Sequence, residues 1–322
     1  MKRKLSNSFI PAAACIFAAC MVLFPSITES GSKSAIIIWA NSIVPILLPF
    51  FIFADFIKRT VNPERLPKRI YPFAIAFMSG YPVGAKVVGD LVKSGAMTQK
   101  EGESVLSYSL VTGPAFIIGT IGAFLGSYKA AVLVAASHYA GAVINGFFYS
   151  GGRKPGDKAD SRIRKSENTR RTEKSVHMQG KSILRQNSQA DSSPESFTAA
   201  ISAGFKSMAV ILAYLIIFMI AIDLLTASGA FALIKNETAA STIKGMLEMT
   251  AGSSMLGMCN ISLRLKSALT AFVISFGGLS VIGQSLSVSG GFISLWQLIK
   301  IKLTHGLIAA CIAAAAATLF PM

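Results

Sequence analysis

A chain of 322 residues that is 52% hydrophobic and only 14% charged is too apolar for an ordinary soluble domain, in which the charged share is nearer ~25%. Its net charge of +16 might suggest nucleic acid, but cytoplasmic loops of membrane proteins accumulate Lys and Arg. The composition therefore predicts an all-α polytopic membrane protein whose partner is the lipid bilayer, with no nucleic acid involved.

Apolar runs near or above the ~20 residues needed to cross the hydrocarbon core lie at 8–27, 35–57, 104–125, 130–150, 205–226, 268–288 and 303–320, which predicts about seven transmembrane helices. The first run follows Met1-Lys2-Arg3-Lys4. A signal peptide also begins this way, and Cys20 after Phe17-Ala18-Ala19 faintly suits a lipoprotein site, but the run is long and another span follows quickly, so a retained helix over 1–34 is expected.

Two further segments, 71–92 and 243–262, are expected to enter the membrane and return. In the first, Ser79-Gly80-Tyr81-Pro82-Val83-Gly84 resists a regular helix, because Pro82 lacks an amide hydrogen and the glycines permit turns that other residues oppose. Freed backbone groups in hydrocarbon cost several kcal/mol each unless buried in protein or facing a wet cavity. The segment therefore reads as a helical hairpin tip lining a site. A helix resuming at Gly84-Ala85-Lys86 presents unpaired amides and the positive end of its dipole to an anion. Lys86 either adds a full positive charge there or snorkels to the surface.

Val111-Thr112-Gly113-Pro114 repeats the break in the next span, and Ser275-Phe276-Gly277-Gly278-Leu279-Ser280 with Gln284 does so near the end. The plainer readings are a proline kink and small residues that let helices approach closely. His138 and His305 are ionisable groups in spans, suited to a substrate, a proton relay or a helix-helix hydrogen bond. Asp55 lies beside Lys58 and Arg59, where a surface ion pair suffices. Asp223 has no such neighbours. Glu248, at the second re-entrant segment, is the carboxylate best placed to couple to a cation. Ion or proton coupling is thus a candidate role for Glu248, Asp223, His138 and His305.

Residues 151–196 are rich in Ser, Lys and Arg, without hydrophobic periodicity, and predict a basic disordered linker. With the amino terminus and this linker cytoplasmic, cytoplasmic positions hold 25 of the 31 Lys and Arg, Lys300 and Lys302 among them. The six left outside include Arg264 and Lys266, which fit poorly. The linker separates two units, 35–150 and 197–322. Asp55 pairs with Asp223, Gly80 with Gly252, Gly113 with Gly277 and His138 with His305, at offsets of 168, 172, 164 and 167 residues. Three crossings per unit invert the second unit, a recurring transporter plan.

The chain lacks GxxxxGK[ST], HExxH and any Ser/His/Asp set in one loop, so no enzyme and no cofactor are expected. Cys15, Cys20, Cys259 and Cys311 have no metal-ligand spacing, and no metal site is expected.

Five segments resemble the sporulation integral membrane proteins of the YlbJ type, which carry the nucleoside-recognition, or Gate, domain: 47–57 (LLPFFIFADFI), 79–91 (SGYPVGAKVVGDL), 112–122 (TGPAFIIGTIG), 247–252 (LEMTAG) and 275–284 (SFGGLSVIGQ). The linker has no place in the resemblance, and Val111-Thr112-Gly113-Pro114 stands where the family pattern is TSGP. The resemblance implies an endospore-forming bacterium, a fold like that of concentrative nucleoside transporters, and movement of dipicolinic acid from the mother cell toward the forespore across the outer forespore membrane. On that reading Lys86 and the tip amides meet carboxylates, and Thr112, Ser280 and Gln284 orient the ring. A nucleoside carrier and a non-transporting assembly factor are the other readings, and a homo-oligomer fits any of them.

Overall fold

The computed structural model describes residues 2–60, 67–150 and 193–319, and every regular element among them is helical. The linker expectation falls outside the described residues as far as 192. From Ser193 the chain is ordered differently from that expectation: the Ser193 hydroxyl accepts the Ser196 amide and opens a long helix.

Helix α1 (Lys2–Leu23) is followed at Pro25 by α2 (Pro25–Ile38), which widens into a π-turn over Trp39–Ile43 before α3 (Val44–Thr60). Pro45 and Pro49 cannot donate to the preceding turn, and the wider π geometry accommodates the lost bonds. Two short helices follow, α4 (Tyr71–Ser79) and α5 (Tyr81–Lys93), joined at Gly80. Next come α6 (Gln99–Ser109), a break, a second π-turn at Phe116–Ile121 that runs into α7 (Gly122–Leu125), and α8 (Tyr128–Ser150).

The same order recurs after the linker. Helix α9 (Pro194–Ala227) precedes the short pair α10 (Glu237–Leu247) and α11 (Met249–Met258), then α12 (Leu263–Phe276), a break at Gly277, α13 (Gly278–Val288) and α14 (Leu295–Leu319). The core is built where α14 packs along α12 and α8, with α5 against α13. Helix α9 packs on α2 and α3 at the periphery.

Among the described residues, five stretches are long and apolar enough to cross a bilayer: Pro25–Ile57, Tyr128–Ser150, Pro194–Ala227, Leu263–Val288 and Leu295–Thr318. Of the seven expected crossings, that at 104–125 is not a continuous helix. It is divided between α6 and α7 by the break after Ser109. The first run lies mainly on a continuous helix, α1, of 22 residues.

Local chemistry explains several ends. Thr98 and Glu101 form a reciprocal capping box at the start of α6, and the Thr98 amide, with the Arg69 guanidinium beyond it, holds the Glu101 carboxyl below the usual carboxylate range. A depressed carboxyl stabilises the fold above its unfolded pKa and loses that contribution as pH falls through the folded value. Thr98→Ala is expected to lower stability by about 1 kcal/mol, read as a lower Tm in detergent, with most of the gap to wild type persisting in acid because the hydroxyl cap on the Glu101 amide does not titrate. Lys266, an awkward outside cation in the charge pattern, donates to the Gly257 carbonyl at 2.6 Å and so satisfies a terminal carbonyl of α11. Asp55 forms the expected ion pair with Arg59, at 2.7 Å.

Candidate functional site

Four breaks in helix interrupt the membrane-embedded part of the chain. Gly80 adopts φ 79° and Gly277 φ 85°, a region that glycine enters without a Cβ penalty. Residues 110–113 carry no regular structure ahead of Pro114, and Glu248 is extended at φ −139° and ψ 114°. Backbone groups freed at such breaks need partners inside the protein, and buried side chains from α8 and α14 supply several of them.

His138, fully buried on α8, is central. Its Nε2 accepts the Thr112 amide at 3.1 Å, so the neutral ring carries its proton on Nδ1 and donates to Ser275 Oγ at 2.8 Å. One imidazole thus ties the break after α6 to the last turn of α12. Tyr139, its neighbour, donates to the Thr112 carbonyl at 2.9 Å. His305, on α14, donates from Nε2 to the His138 carbonyl at 2.9 Å, and the two rings lie 4.9 Å apart. Both histidines serve helix-helix hydrogen bonds, one of the roles open to them in the sequence. Tyr81, the first residue of α5, donates to the Ile274 carbonyl on α12.

A cation that the charge pattern misplaces completes the cluster. Lys302 is not a loop residue: it lies in α14 with 1% of its surface exposed. Its Nζ donates to the Leu110 carbonyl at 2.9 Å and approaches His305 Nδ1 at 3.5 Å. It also sits 4.3 Å from the centre of the Tyr81 ring, a favourable place for a cation. Among the described residues Lys302 forms no ion pair. Taking such a charge from water costs several kcal/mol unless it is compensated, and a carbonyl and a ring compensate only in part. Lys302, Tyr81, Leu110, Val281, Ile282, Ser285 and Leu298 line a narrow crevice.

The remaining candidates divide by helix face. On α5, Tyr81, Gly84 and Ala85 are buried and Lys86 is exposed, because Lys86 lies well round the helix from that buried face. Pro82 is half-buried, as is Ser79 before the break. Thr112 and Gly113 are buried and Pro114 half-buried. Gly277 and Gly278 form the hinge into α13, with Lys302 packed against Gly277 on one side and the Glu248 backbone against Gly278 on the other. Along α13, Val281, Ile282 and Ser285 face the crevice, whereas Ser280 interacts with the Glu248 carboxylate without forming a hydrogen bond of ordinary length. Gln284, one turn on from Ser280, is buried with it. Glu248 is 5% exposed, and its Oε2 accepts the Ala251 amide at 2.7 Å. Asp223 on α9 lies half-buried against Gly31 of α2, apart from this cluster. No group of three or more His, Cys, Asp or Glu able to hold a metal ion occurs among the described residues.

One signal for Lys302 was present in the sequence: it lies three residues before His305, hence on the same helix face. That spacing could have marked it as a companion of the intramembrane histidine.

No family model matches the chain, and no solved structure matches it. Among curated proteins the chain is similar to the sporulation integral membrane protein YlbJ of Bacillus subtilis (strain 168), with 24% identity over 314 residues, covering 87% of this chain and 75% of the relative. This likeness agrees with the resemblance of the five segments to the YlbJ-type sporulation integral membrane proteins.

Proposed function

We propose that this multi-pass membrane protein transports a small organic anion during sporulation, with dipicolinate the substrate that the resemblance implies and the outer forespore membrane its place. The observation that carries the proposal is Lys302, a fully buried lysine without a carboxylate partner among the described residues, set where broken helices meet. An anion in a low-dielectric site needs compensation, and this cation needs it equally. A neutral nucleoside has no such requirement. The narrowness of the crevice means that a substrate enters only when the surrounding tips move apart, as alternating access requires.

The architecture fits the same reading. Helices α4, of 9 residues, and α5, of 13, rise only about 14 and 20 Å at ~1.5 Å per residue, short of a hydrocarbon core of ~30 Å. Together with α10 and α11 they are proposed as two re-entrant hairpins, one in each half of an inverted repeat. The breaks at Gly80 and Glu248 lie 168 residues apart, as do Asp55 and Asp223, and His138 and His305 lie 167 apart. This brings the hairpin offset into line with the others, replacing the Gly80 to Gly252 pairing.

Uptake of labelled dipicolinate, but not uridine, into vesicles holding the purified protein is the expected result. Equal uptake of both, or of neither, defeats the anion reading. Orientation is tested separately: with the four native cysteines removed, a cysteine at Ser228 should react with an impermeant reagent in intact cells, and one at Ser166 should not. Labelling of both from outside would overturn the proposed topology.

A further inference from the structure

Thr98, Ser127, Ser193, Asn236, Ser262 and Ser294 each cap a helix by accepting the amide three residues on. All are neutral and none is buried. Glu248 makes the same bond to the Ala251 amide, at 2.7 Å, with only 5% of its surface exposed. A Ser, Thr or Asn satisfies such an amide equally well, without taking a charge out of water. Capping therefore explains an acceptor at this position but not a buried carboxylate.

The groups around that carboxylate suit a proton. The Thr250 and Ser280 hydroxyls interact with it. Ser280 is 1% exposed, and its Oγ makes no hydrogen bond of ordinary length. A hydroxyl donates to an ionised carboxylate and accepts from a protonated one, so the same neighbours serve both states. Ionisable groups on the packed elements are engaged elsewhere. Lys244 on α10 lies over the Phe231 ring, Asp223 on α9 lies against Gly31, and Lys266 on α12 donates to the Gly257 carbonyl. Lys302 and His305 on α14 hold the Leu110 and His138 carbonyls, and Arg264, at the start of α12, is exposed. Helices α7 and α13 carry no ionisable side chain.

Helix α13 joins this carboxylate to the crevice. It starts at Gly277 and Gly278, with φ of 85° and 71°. A Cβ on Gly278 would meet the Met249 amide nitrogen at 3.0 Å and the Leu247 carbonyl at 3.1 Å, so the hinge rests directly on the joint that holds Glu248. Ser280 turns to Glu248, whereas Val281, Ile282 and Ser285 line the crevice with Lys302. A change at Glu248 that moves Ser280 therefore moves the crevice wall.

We infer that Glu248 carries the proton that drives transport, taking it on Oε1 from water on one side of the membrane and releasing it on the other, with α13 linking its state to the crevice. The inference rests on the transport reading and names the coupling ion and its residue. Oε1 is the oxygen that the Ala251 amide does not hold, so protonation discharges the side chain and leaves the cap in place. Ionisable side chains in membrane-embedded segments commonly serve as proton relays.

The test uses the full chain, purified and placed in vesicles, with labelled dipicolinate. An imposed pH gradient should drive several-fold accumulation in the wild type, a protonophore should abolish it, and a sodium gradient should not replace it. Glu248→Gln keeps an acceptor for the Ala251 amide but takes no proton. It should ignore the pH gradient, with accumulation falling to the level that exchange alone reaches. Glu248→Asp keeps a carboxyl and should keep part of the response. Infrared difference spectra in detergent, which need no substrate, should show a protonated-carboxyl band on acidification that is missing from Glu248→Gln. If the wild type moves no dipicolinate, the transport reading fails, and the infrared band decides the proton site by itself. If dipicolinate moves but Glu248→Gln follows the pH gradient as the wild type does, the assignment is overturned. Uptake driven by sodium in place of the proton overturns it too, as does the lack of a Glu248-dependent band at every pH at which the protein stays folded.

Discussion

Lys302→Met is expected to abolish transport while making the substrate-free protein more stable. The two effects have one cause. Lys302 is fully buried with a carbonyl, an imidazole nitrogen and a ring face around its amine, and replacing a poorly compensated buried charge by an apolar side chain of similar length is often neutral or stabilising by ~1 to 4 kcal/mol. With the anion bound, the same ammonium is the counter-charge. Losing one partner of a buried pair costs ~3 to 5 kcal/mol, which at ~1.4 kcal/mol per decade is roughly 100- to 1000-fold or more in affinity. Dipicolinate uptake into vesicles and Tm in detergent check the two halves of the result. A variant that loses transport and Tm together indicates that Lys302 merely holds α14 to the break after α6. Lys86→Met is the matching control: an exposed charge contributes ~0 to 1 kcal/mol, and its uptake should equal that of the wild type. Loss of uptake in Lys86→Met, with Lys302→Met intact, would return the counter-charge to Lys86.

Gly252→Ala is expected to damage the fold more than any other single-methyl addition considered. A Cβ at Gly252 falls onto the backbone of Gly245 across the α10–α11 pair. Backbone cannot move aside as a flexible side chain does, so the two helices must separate. Overpacking of this kind typically costs ~1 to 3 kcal/mol, occasionally more, and here it also displaces Glu248 at the joint of the pair. Gly283, on α13, has open space where its Cβ would lie, and Gly283→Ala should leave Tm unchanged or raised, since alanine favours helix over glycine by ~1 kcal/mol. Comparable Tm values for the two variants would show that α10 and α11 are not packed backbone to backbone.

Much of the architecture could be read from composition and breakers. The apolar runs marked the long helices α8, α9 and α14, because a helix that crosses a bilayer must satisfy its backbone internally and cover itself with apolar side chains. Gly80, Pro114 and Gly277 marked three of the breaks for the same reason in reverse. The run at 104–125 misled, since its hydropathy continues straight through the break at 110–113; apolar side chains record burial or lipid contact, not continuity of the helix. That Glu248 caps its own helix terminus was not legible in the sequence, because the arrangement depends on the chain turning there. The family resemblance, carried by the segments around Asp55, Gly80, Thr112, Glu248 and Gly277, agrees with the similarity to the Bacillus subtilis protein.

By itself the sequence determined that the chain is a helical membrane protein, where its long helices run, and at which glycines and prolines they break, because those properties follow from side-chain polarity and from local backbone freedom. Which lysine is buried was decided only by tertiary structure. Lys86 sits in the motif and Lys302 in an unremarked stretch 216 residues later. Their burial depends on which side of α5 faces the core and on α14 passing the break at Leu110. Burial of an ionisable group is a property of the packed assembly, and residues far apart along the chain set it jointly.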